Sequence, residues 1–209
     1  MRNNSVRHLT IAALLIGLGI MIPMVMPKIV IGPASFTLAS HVPLFIAMFF
    51  SPAVAIAVSL GTTFGFLVSG LPVIIALRAL THVIFATIGA LYLQKNPQIV
   101  LQNGQFTLAN VRFQIYNVIL GLIHAAAEVV VVLAFNMINL GTPGTYDGGV
   151  FYFYFVLLGF GGVVHSLVDY NIAYFVAGTL SKHFDIPIFT KALKLQKSVM
   201  SNVKSALTK

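Results

Sequence analysis

Three apolar stretches of this chain each carry a pair of chemically active polar side chains four residues apart. The pairs are Arg78 with His82, His124 with Glu128, and His165 with Asp169. Four residues are slightly more than one helical turn, so both members of a pair lie on one face of a helix. Burying such groups singly is costly, whereas pairing them with each other or with a ligand offsets the desolvation. We therefore expect the three faces to converge on one interior site.

Arg78 is the most informative member of this set. It is the only permanently charged residue between Ile29 and Leu93. A cation at the centre of a membrane helix costs roughly 2.5–3.5 kcal/mol on insertion scales, so it is seldom kept without a partner. We predict that Arg78 binds a ligand in the outer half of the membrane, about 10 Å below the outer end of its helix at about 1.5 Å per residue.

The predicted binding site combines this arginine with polar groups on the same and neighbouring helices. Asp169 lies deeper and is predicted to have a structural or coupling role. The alternative is that Arg78, Glu128 and Asp169 form only an interior ion-pair network. The residues predicted to bind the ligand are Arg78, His82, His124, Glu128, Asn136, Asn139 and Thr145.

Other chemistries have weaker support in the sequence. The chain has no cysteine, which excludes disulfides and thiolate metal ligands. No helix carries two histidines at metal-ligand spacing, so we predict no metal site and no cofactor. There is no P-loop, and Ser69 lacks the Gly-x-Ser-Gly setting of an intramembrane serine protease. We predict that the chain is not an enzyme.

The composition places these residues in a membrane. Of 209 residues, 58% are hydrophobic and only 8% are charged, against about a quarter charged in soluble domains. The net charge of +8 is concentrated near the two ends and in the central polar loop, which is the positive-inside bias of cytoplasmic segments. No basic stripe with interleaved aromatics indicates nucleic-acid binding. The chain is predicted to be a multi-pass integral membrane protein in contact with lipid.

The pattern of apolar stretches predicts an all-α fold with six transmembrane helices and both termini in the cytoplasm. A squarely crossing helix needs about 20 residues, and the second stretch is short. We assign 1–181 to a six-helix transmembrane domain and 182–209 to a basic amphipathic cytoplasmic tail. Loop one, before the second span, is predicted to be an ordered cover rather than a helix. The predicted spans are 9–26, 38–50, 52–68, 71–93, 113–138 and 150–180.

Small residues mark where helices approach closely. Gly61 and Gly65 on the third span are predicted to serve internal packing, whereas Ala13 and Gly17 on the first span are candidates for contact with a partner protein.

The chain resembles the substrate-binding S-component of an energy-coupling factor (ECF) vitamin transporter in its length, its topology, its basic start and its first helix, LTIAALLIGLGIMIPM. The segment KIVIGPASFTLASHVPLFIAMFFSPAVAIAVSLGTT is similar to loop one and the next two helices of vitamin-specific members. S-components carry an Ala-x-x-x-Ala motif on helix one that contacts the coupling subunit, and here the second alanine is Gly17. The resemblance implies a bacterial plasma-membrane protein that captures a small water-soluble vitamin. It also implies as partners a transmembrane coupling subunit and two ATPase subunits.

The choice of vitamin follows from Arg78 and His82, which suit a carboxylate. Within the family this indicates pantothenate or niacin, and pantothenate is favoured because Asn136, Asn139 and Thr145 suit hydroxyl and amide groups. The alternative from another class is a self-sufficient secondary transporter or channel that uses Arg78, Glu128 and Asp169 as a polar relay. An enzyme acting on lipid ranks third.

Overall fold

The computed structural model describes residues 2–31, 34–138 and 148–207. The chain folds into a bundle of helices with one short hairpin. Helix α1 is Arg2–Val25, and the hairpin strands β1 and β2 are Lys28–Ile31 and Ala34–Thr37. They are followed by α2 (Val42–Met48), α3 (Pro52–Val68), α4 (Val73–Lys95), a 3₁₀ turn (Pro97–Val100), α5 (Val111–Met137), the long helix α6 (Gly149–Leu180) and a tail helix (Pro187–Leu207).

Four of the described helices are long and apolar enough to cross a membrane: Ser5–Val25 of α1, and all of α4, α5 and α6. Helix α3 is apolar but has only 17 residues. Helix α2 has seven residues, which at 1.5 Å per residue is about 10 Å and too short to cross a hydrocarbon core of about 30 Å. The all-α, multi-pass character is therefore confirmed, while six full crossings and the side of the termini stay predictions.

The segment before α2 is ordered without being helical, as predicted for loop one. Strands β1 and β2 pair antiparallel, with Lys28 opposite Thr37 and Ile31 opposite Ala34. The chain then turns through Ala39, which has a positive φ of 66°, an uncommon conformation for a residue with a Cβ. This turn delivers Ser40 and His41 to the interior of the bundle.

Local signals set the helix boundaries. Ser51 caps α3 by accepting a hydrogen bond from the Val54 N–H at 3.1 Å, and Pro52 occupies the first turn, where its missing N–H costs nothing. Asn110 caps α5 in the same way through the Phe113 N–H. Between α3 and α4, Gly70 adopts a φ of 73°, which glycine tolerates without strain.

Helix α6 is not a uniform α-helix. Its residues Tyr152–Gly161 are π-helical, between the short α-helical turn Gly149–Phe151 and the α-helical segment Gly162–Leu180. The α-helical segment carries His165 and Asp169.

Stacked aromatic side chains form the core beneath the polar residues. Phe45 of α2 stacks on Tyr170 of α6 at a centroid distance of 4.1 Å, and Phe113 of α5 stacks on Tyr174 at 3.6 Å. All four side chains are buried, so each pair of rings is packed away from solvent between two helices. The core therefore holds α2, α5 and α6 in fixed relative positions.

Helix α1 packs against α3 through glycines, as predicted for internal packing. A Cβ on Gly61 would meet the side chain of Ile16, and one on Gly65 would meet Ile20. By contrast, Ala13 is exposed, and a Cβ on Gly17 would meet nothing within 4 Å. The predicted partner-facing residues therefore lie on the outer face of α1.

The tail helix is tied to the bundle at its start. Ile188 and Phe189 are buried, and the Ile188 N–H donates a 3.2 Å hydrogen bond to the Phe49 carbonyl. Just before the helix, Asp185 accepts hydrogen bonds from Thr190 and Arg7, which hold the pKa of this carboxyl below its ordinary value. The first turns of the tail therefore belong to the fold, and the rest presents an amphipathic surface.

Candidate functional site

Helices α4 and α5 bring two of the predicted polar pairs into direct contact. The Arg78 Nη2 donates a 2.8 Å hydrogen bond to Glu128 Oε2, while His82 Nε2 lies 3.2 Å from Glu128 Oε1. His124 Nε2 lies 3.5 Å from the same oxygen. The members of each pair thus share a face, as predicted, but the closest contacts run between helices and have Glu128 at their centre.

The third pair, on α6, organises the turn before α2. Asp169 is fully buried and accepts hydrogen bonds from the backbone N–H groups of Ala39 at 2.8 Å and His41 at 2.9 Å. Its Oδ2 also lies 3.1 Å from His41 Nδ1. A carboxylate that satisfies two backbone donors beside a residue with positive φ fixes that turn in place. These contacts agree with the structural role predicted for Asp169.

His41 joins the two groups of contacts and was missed by the sequence analysis. Its ring lies 4.8 Å from His82, 4.7 Å from His124 and 4.9 Å from His165, measured between centroids. The residues four positions before and after His41 are Thr37 and Phe45, so it has no charged or histidine partner at helical spacing. The available signal was a serine and a histidine immediately before an apolar helix that begins Val-Pro.

A cavity of about 180 Å³ opens beside these groups. The ends of α1 and the hairpin form one side through Pro23, Lys28 and Thr37. Apolar side chains of α2, α3 and α4 form much of the rest. The polar wall consists of Ser40, His41, Ser59, Thr62, Arg78, His82, Glu128 and His165. The cavity is smaller than the roughly 300–1,000 Å³ of pockets for drug-sized ligands, so it suits a compact molecule.

Arg78 has hydrogen-bonding capacity beyond its contact with Glu128. The guanidinium carries five N–H donors in a planar fork. Within the described part of the chain, one hydrogen bond goes to Glu128, and the buried Nε has no partner. The side chain lines the cavity and is 20% exposed. It can therefore receive a small anion without giving up Glu128.

The predicted site residues divide into three groups. Arg78, His82 and Glu128 line the cavity, and His124 lies directly behind them. Asn136 donates a 2.6 Å hydrogen bond to the Tyr154 hydroxyl and is not among the described residues that line the cavity. Asn139 and Thr145 lie outside the described residues. The structure thus brings together the residues of α4 and α5, and their role in binding stays a prediction.

A multi-pass helical membrane protein with a small cavity among its helices, apolar over much of its surface and with one polar wall, belongs structurally with the membrane proteins that bind or carry small molecules. The chain is 50% identical over 192 residues to the niacin transporter NiaX of Lactococcus lactis subsp. cremoris (strain MG1363), a match that covers 91% of this chain and 82% of that protein. The chain therefore belongs to the family of vitamin transporters that contains this niacin transporter. No protein-family model matches the chain, and no solved structure matches it significantly.

This membership confirms the resemblance to the S-components of vitamin transporters, for which the niacin type was one of the two expectations. The preference for pantothenate is not supported, because the similar protein is a niacin transporter. That preference rested on the three residues Asn136, Asn139 and Thr145. Asn136 donates a hydrogen bond to the Tyr154 hydroxyl, and the other two lie outside the described residues.

Proposed function

We propose that this chain is the substrate-capture subunit of an ECF-type transporter and that its substrate is niacin in the nicotinate form. The observation that carries this proposal is the arginine beside a small cavity. The Arg78 side chain lines a space of about 180 Å³ and is 20% exposed there, while its Nη2 is bound to Glu128. The niacin transporter that shares half of its residues with this chain supports the same ligand.

Nicotinate matches the cavity in size and polarity. It is one aromatic ring with one carboxylate, about nine non-hydrogen atoms, well below a drug-sized ligand. Its carboxylate would pair with the free donors of Arg78, because a guanidinium fork binds carboxylates in a planar two-donor geometry. Its ring would lie against Leu44, Phe66 and Ile75, which line the same cavity. Hydroxyl and imidazole groups on the polar wall would donate a hydrogen bond to the ring nitrogen.

The proposed topology places the cavity toward the outside of the cell. Six passes across a bacterial plasma membrane, with the second made by the hairpin and short α2, would put both termini and the loop of residues 94–112 in the cytoplasm. The side of the cavity lined by the exposed Lys28 would then face outward. In this proposal the chain binds and carries nicotinate without catalysing a reaction. A coupling subunit and two ATPases would drive its release inward, with Ala13 and Gly17 on the docking face.

Equilibrium binding to the purified, solitary protein tests the ligand assignment. Titration with nicotinate, nicotinamide and pantothenate should show nicotinate binding most tightly, because the amide lacks the charge for Arg78 and pantothenate is the larger molecule for a small cavity. Tighter binding of pantothenate would contradict the size argument. Tighter binding of nicotinamide would contradict the assigned role of Arg78.

Reconstitution tests the mode of transport separately. The buried contacts of Arg78 and Glu128 favour, as a second candidate, a self-sufficient transporter in which these groups relay charge. In liposomes, uptake of nicotinate should require the coupling subunit, both ATPases and ATP. Uptake by the solitary chain would favour the second candidate instead.

A further inference from the structure

Four metal-ligating side chains from three separate segments meet at the polar wall of the cavity, and three of them line it. His41 comes from the turn before α2, His82 from α4, and His124 and Glu128 from α5. One ligand atom of each lies within 4.8 Å of the others. His82, His124 and Glu128 are buried, and the His41 side chain is only 11% exposed. Three imidazoles and one carboxylate are a donor set typical of Zn²⁺ and related first-row metals.

The separations around Glu128 fit a tetrahedral metal ion. Its Oε1 lies 3.2 Å from His82 Nε2 and 3.5 Å from His124 Nε2. Zinc binds nitrogen and oxygen at about 2.0–2.1 Å, so neighbouring ligands of a tetrahedral site lie about 3.3 Å apart. These two edges therefore need almost no adjustment, and the remaining ligand-atom separations, all within 4.8 Å, would settle near the same value when the ion binds.

His124 supports this assignment independently. The residue is 1% exposed, its Nδ1 has no hydrogen-bond partner within the described part of the chain, and its Nε2 makes only the long 3.5 Å contact with Glu128 Oε1. Leaving a buried polar group unsatisfied costs about 1–3 kcal/mol. A leucine would fill a similar space at this position without that cost. A metal ion bound to Nε2 gives the histidine a function that hydrogen bonding within the described protein does not provide.

Surrounding groups orient the ligands as they do in zinc sites. Asp169 Oδ2 lies 3.1 Å from His41 Nδ1, which favours the tautomer with its proton on Nδ1 and leaves the Nε2 lone pair available. Arg78 binds Glu128 Oε2 and leaves Oε1 toward the histidines. Asp169 itself is committed to the backbone of Ala39 and His41, so it belongs to the outer shell.

The charge of the region is compatible with a bound cation. Among the described buried or nearly buried groups around the cluster, Glu128 and Asp169 are acids, and Arg78 is the one permanent cation. With neutral imidazoles the cluster carries a net negative charge, which is unfavourable inside a membrane. A divalent ion would change the net charge of these groups from −1 to +1, so the charge count is compatible with a bound cation but does not select one.

We propose that His41, His82, His124 and Glu128 bind one divalent first-row transition-metal ion, with Zn²⁺ preferred because four nitrogen and oxygen donors are available and two of their separations match a tetrahedral site. The ion would lie directly behind the cavity wall formed by His82 and Glu128. This site goes beyond the proposed function, since a metal ion and nicotinate would occupy adjacent positions.

The test uses the full chain, purified without a histidine tag and free of added nicotinate. Elemental analysis after incubation with Zn²⁺ and removal of excess metal measures stoichiometry. Titration with Co²⁺ reports the geometry through the intense visible absorption of tetrahedral cobalt. The variant His124→Leu removes one ligand, and His183→Ala controls for weak binding by an exposed histidine elsewhere in the chain.

The parent protein and His183→Ala should each hold about one Zn²⁺ and show the tetrahedral cobalt spectrum. His124→Leu should bind at least about 100-fold more weakly, since changes even to outer-shell partners cost about 10- to 100-fold. Without metal, its thermal stability should equal or exceed that of the parent. His124→Gln supplies the same comparison if leucine impairs folding.

Failure of the parent to bind zinc stoichiometrically would overturn the proposal, as would equal zinc affinity in the parent and the His124 variants. Neither result would bear on nicotinate binding, which is measured separately in the absence of metal. The failure of this proposal is therefore distinguishable from failure of the proposed function.

Discussion

Replacing Arg78 tests whether the guanidinium binds a ligand carboxylate or serves only to neutralise Glu128. If the carboxylate pairs with Arg78, Arg78→Ala removes a charge-assisted contact of about 1.5–3 kcal/mol, or roughly a tenfold to hundredfold loss of nicotinate affinity. Nicotinamide, which lacks the charge, should lose little. The preference for nicotinate over nicotinamide should therefore nearly disappear in the variant.

The same substitution also affects the fold, and this effect must be separated from binding. Glu128 is 4% exposed, and removing one partner of a buried ion pair costs about 3–5 kcal/mol because the other charge stays uncompensated. Contacts with His82 at 3.2 Å reduce this penalty. Arg78→Lys keeps a cation beside Glu128 but loses the two-donor fork. It should keep most of the stability and recover only part of the nicotinate preference.

Titration calorimetry on the parent, Arg78→Ala and Arg78→Lys proteins with both ligands measures this preference, and thermal unfolding without ligand measures the stability. Lys28→Ala is a matched control, because Lys28 is the other cation lining the cavity but is exposed. Its effect should be less than about 1 kcal/mol. If Arg78→Ala lowered the affinities for nicotinate and nicotinamide by the same factor, the carboxylate assignment would be wrong and the arginine would be structural.

Three further predictions follow from the packing and the topology. Gly17→Leu should reduce ATP-driven uptake but leave nicotinate affinity and thermal stability unchanged, because this position faces outward. Gly61→Leu should lower both thermal stability and nicotinate affinity, because the added side chain would displace α1. Equal effects of these two substitutions would remove the reason to place a partner on α1. Cysteine at Ser69 should react with an impermeant thiol reagent added to intact cells and cysteine at Asn103 should not; the reverse pattern would invert the topology. Asp169→Asn should lower thermal stability by about 1.5–3 kcal/mol, because the charged acceptor of two backbone N–H groups is lost, and unchanged unfolding would show that the turn is held by other contacts.

The sequence was sufficient to predict which helices carry the polar groups and that their faces meet. The i,i+4 spacing of the pairs is a property of one helix, and apolar surroundings make it physically meaningful. Spacing within one helix does not predict which side chain of a neighbouring helix each polar residue contacts. Spacing groups Arg78 with His82, whereas the structure places Glu128 between them, since the choice depends on how α4 packs against α5.

His41 shows a second limit. Its position depends on a turn with positive φ at Ala39 that is stabilised by Asp169, a contact between residues 130 positions apart. The spacing of metal ligands within one helix is a local property of the sequence. It therefore could not detect His41, His82 and His124 approaching from three segments. The length of α2 was overestimated for a related reason, because an apolar stretch does not reveal where a hairpin ends and a helix begins.

The most direct test of the central claim is mass spectrometry of the small molecules released when the purified protein is denatured. The protein should be produced in cells grown with nicotinate and pantothenate at equal concentration. The proposed function predicts that nicotinate is recovered in near-stoichiometric amount from the parent and is strongly depleted from Arg78→Ala. Recovery of pantothenate instead, or of nicotinate in equal amount from both proteins, would contradict the assignment of this cavity as a nicotinate site built around Arg78.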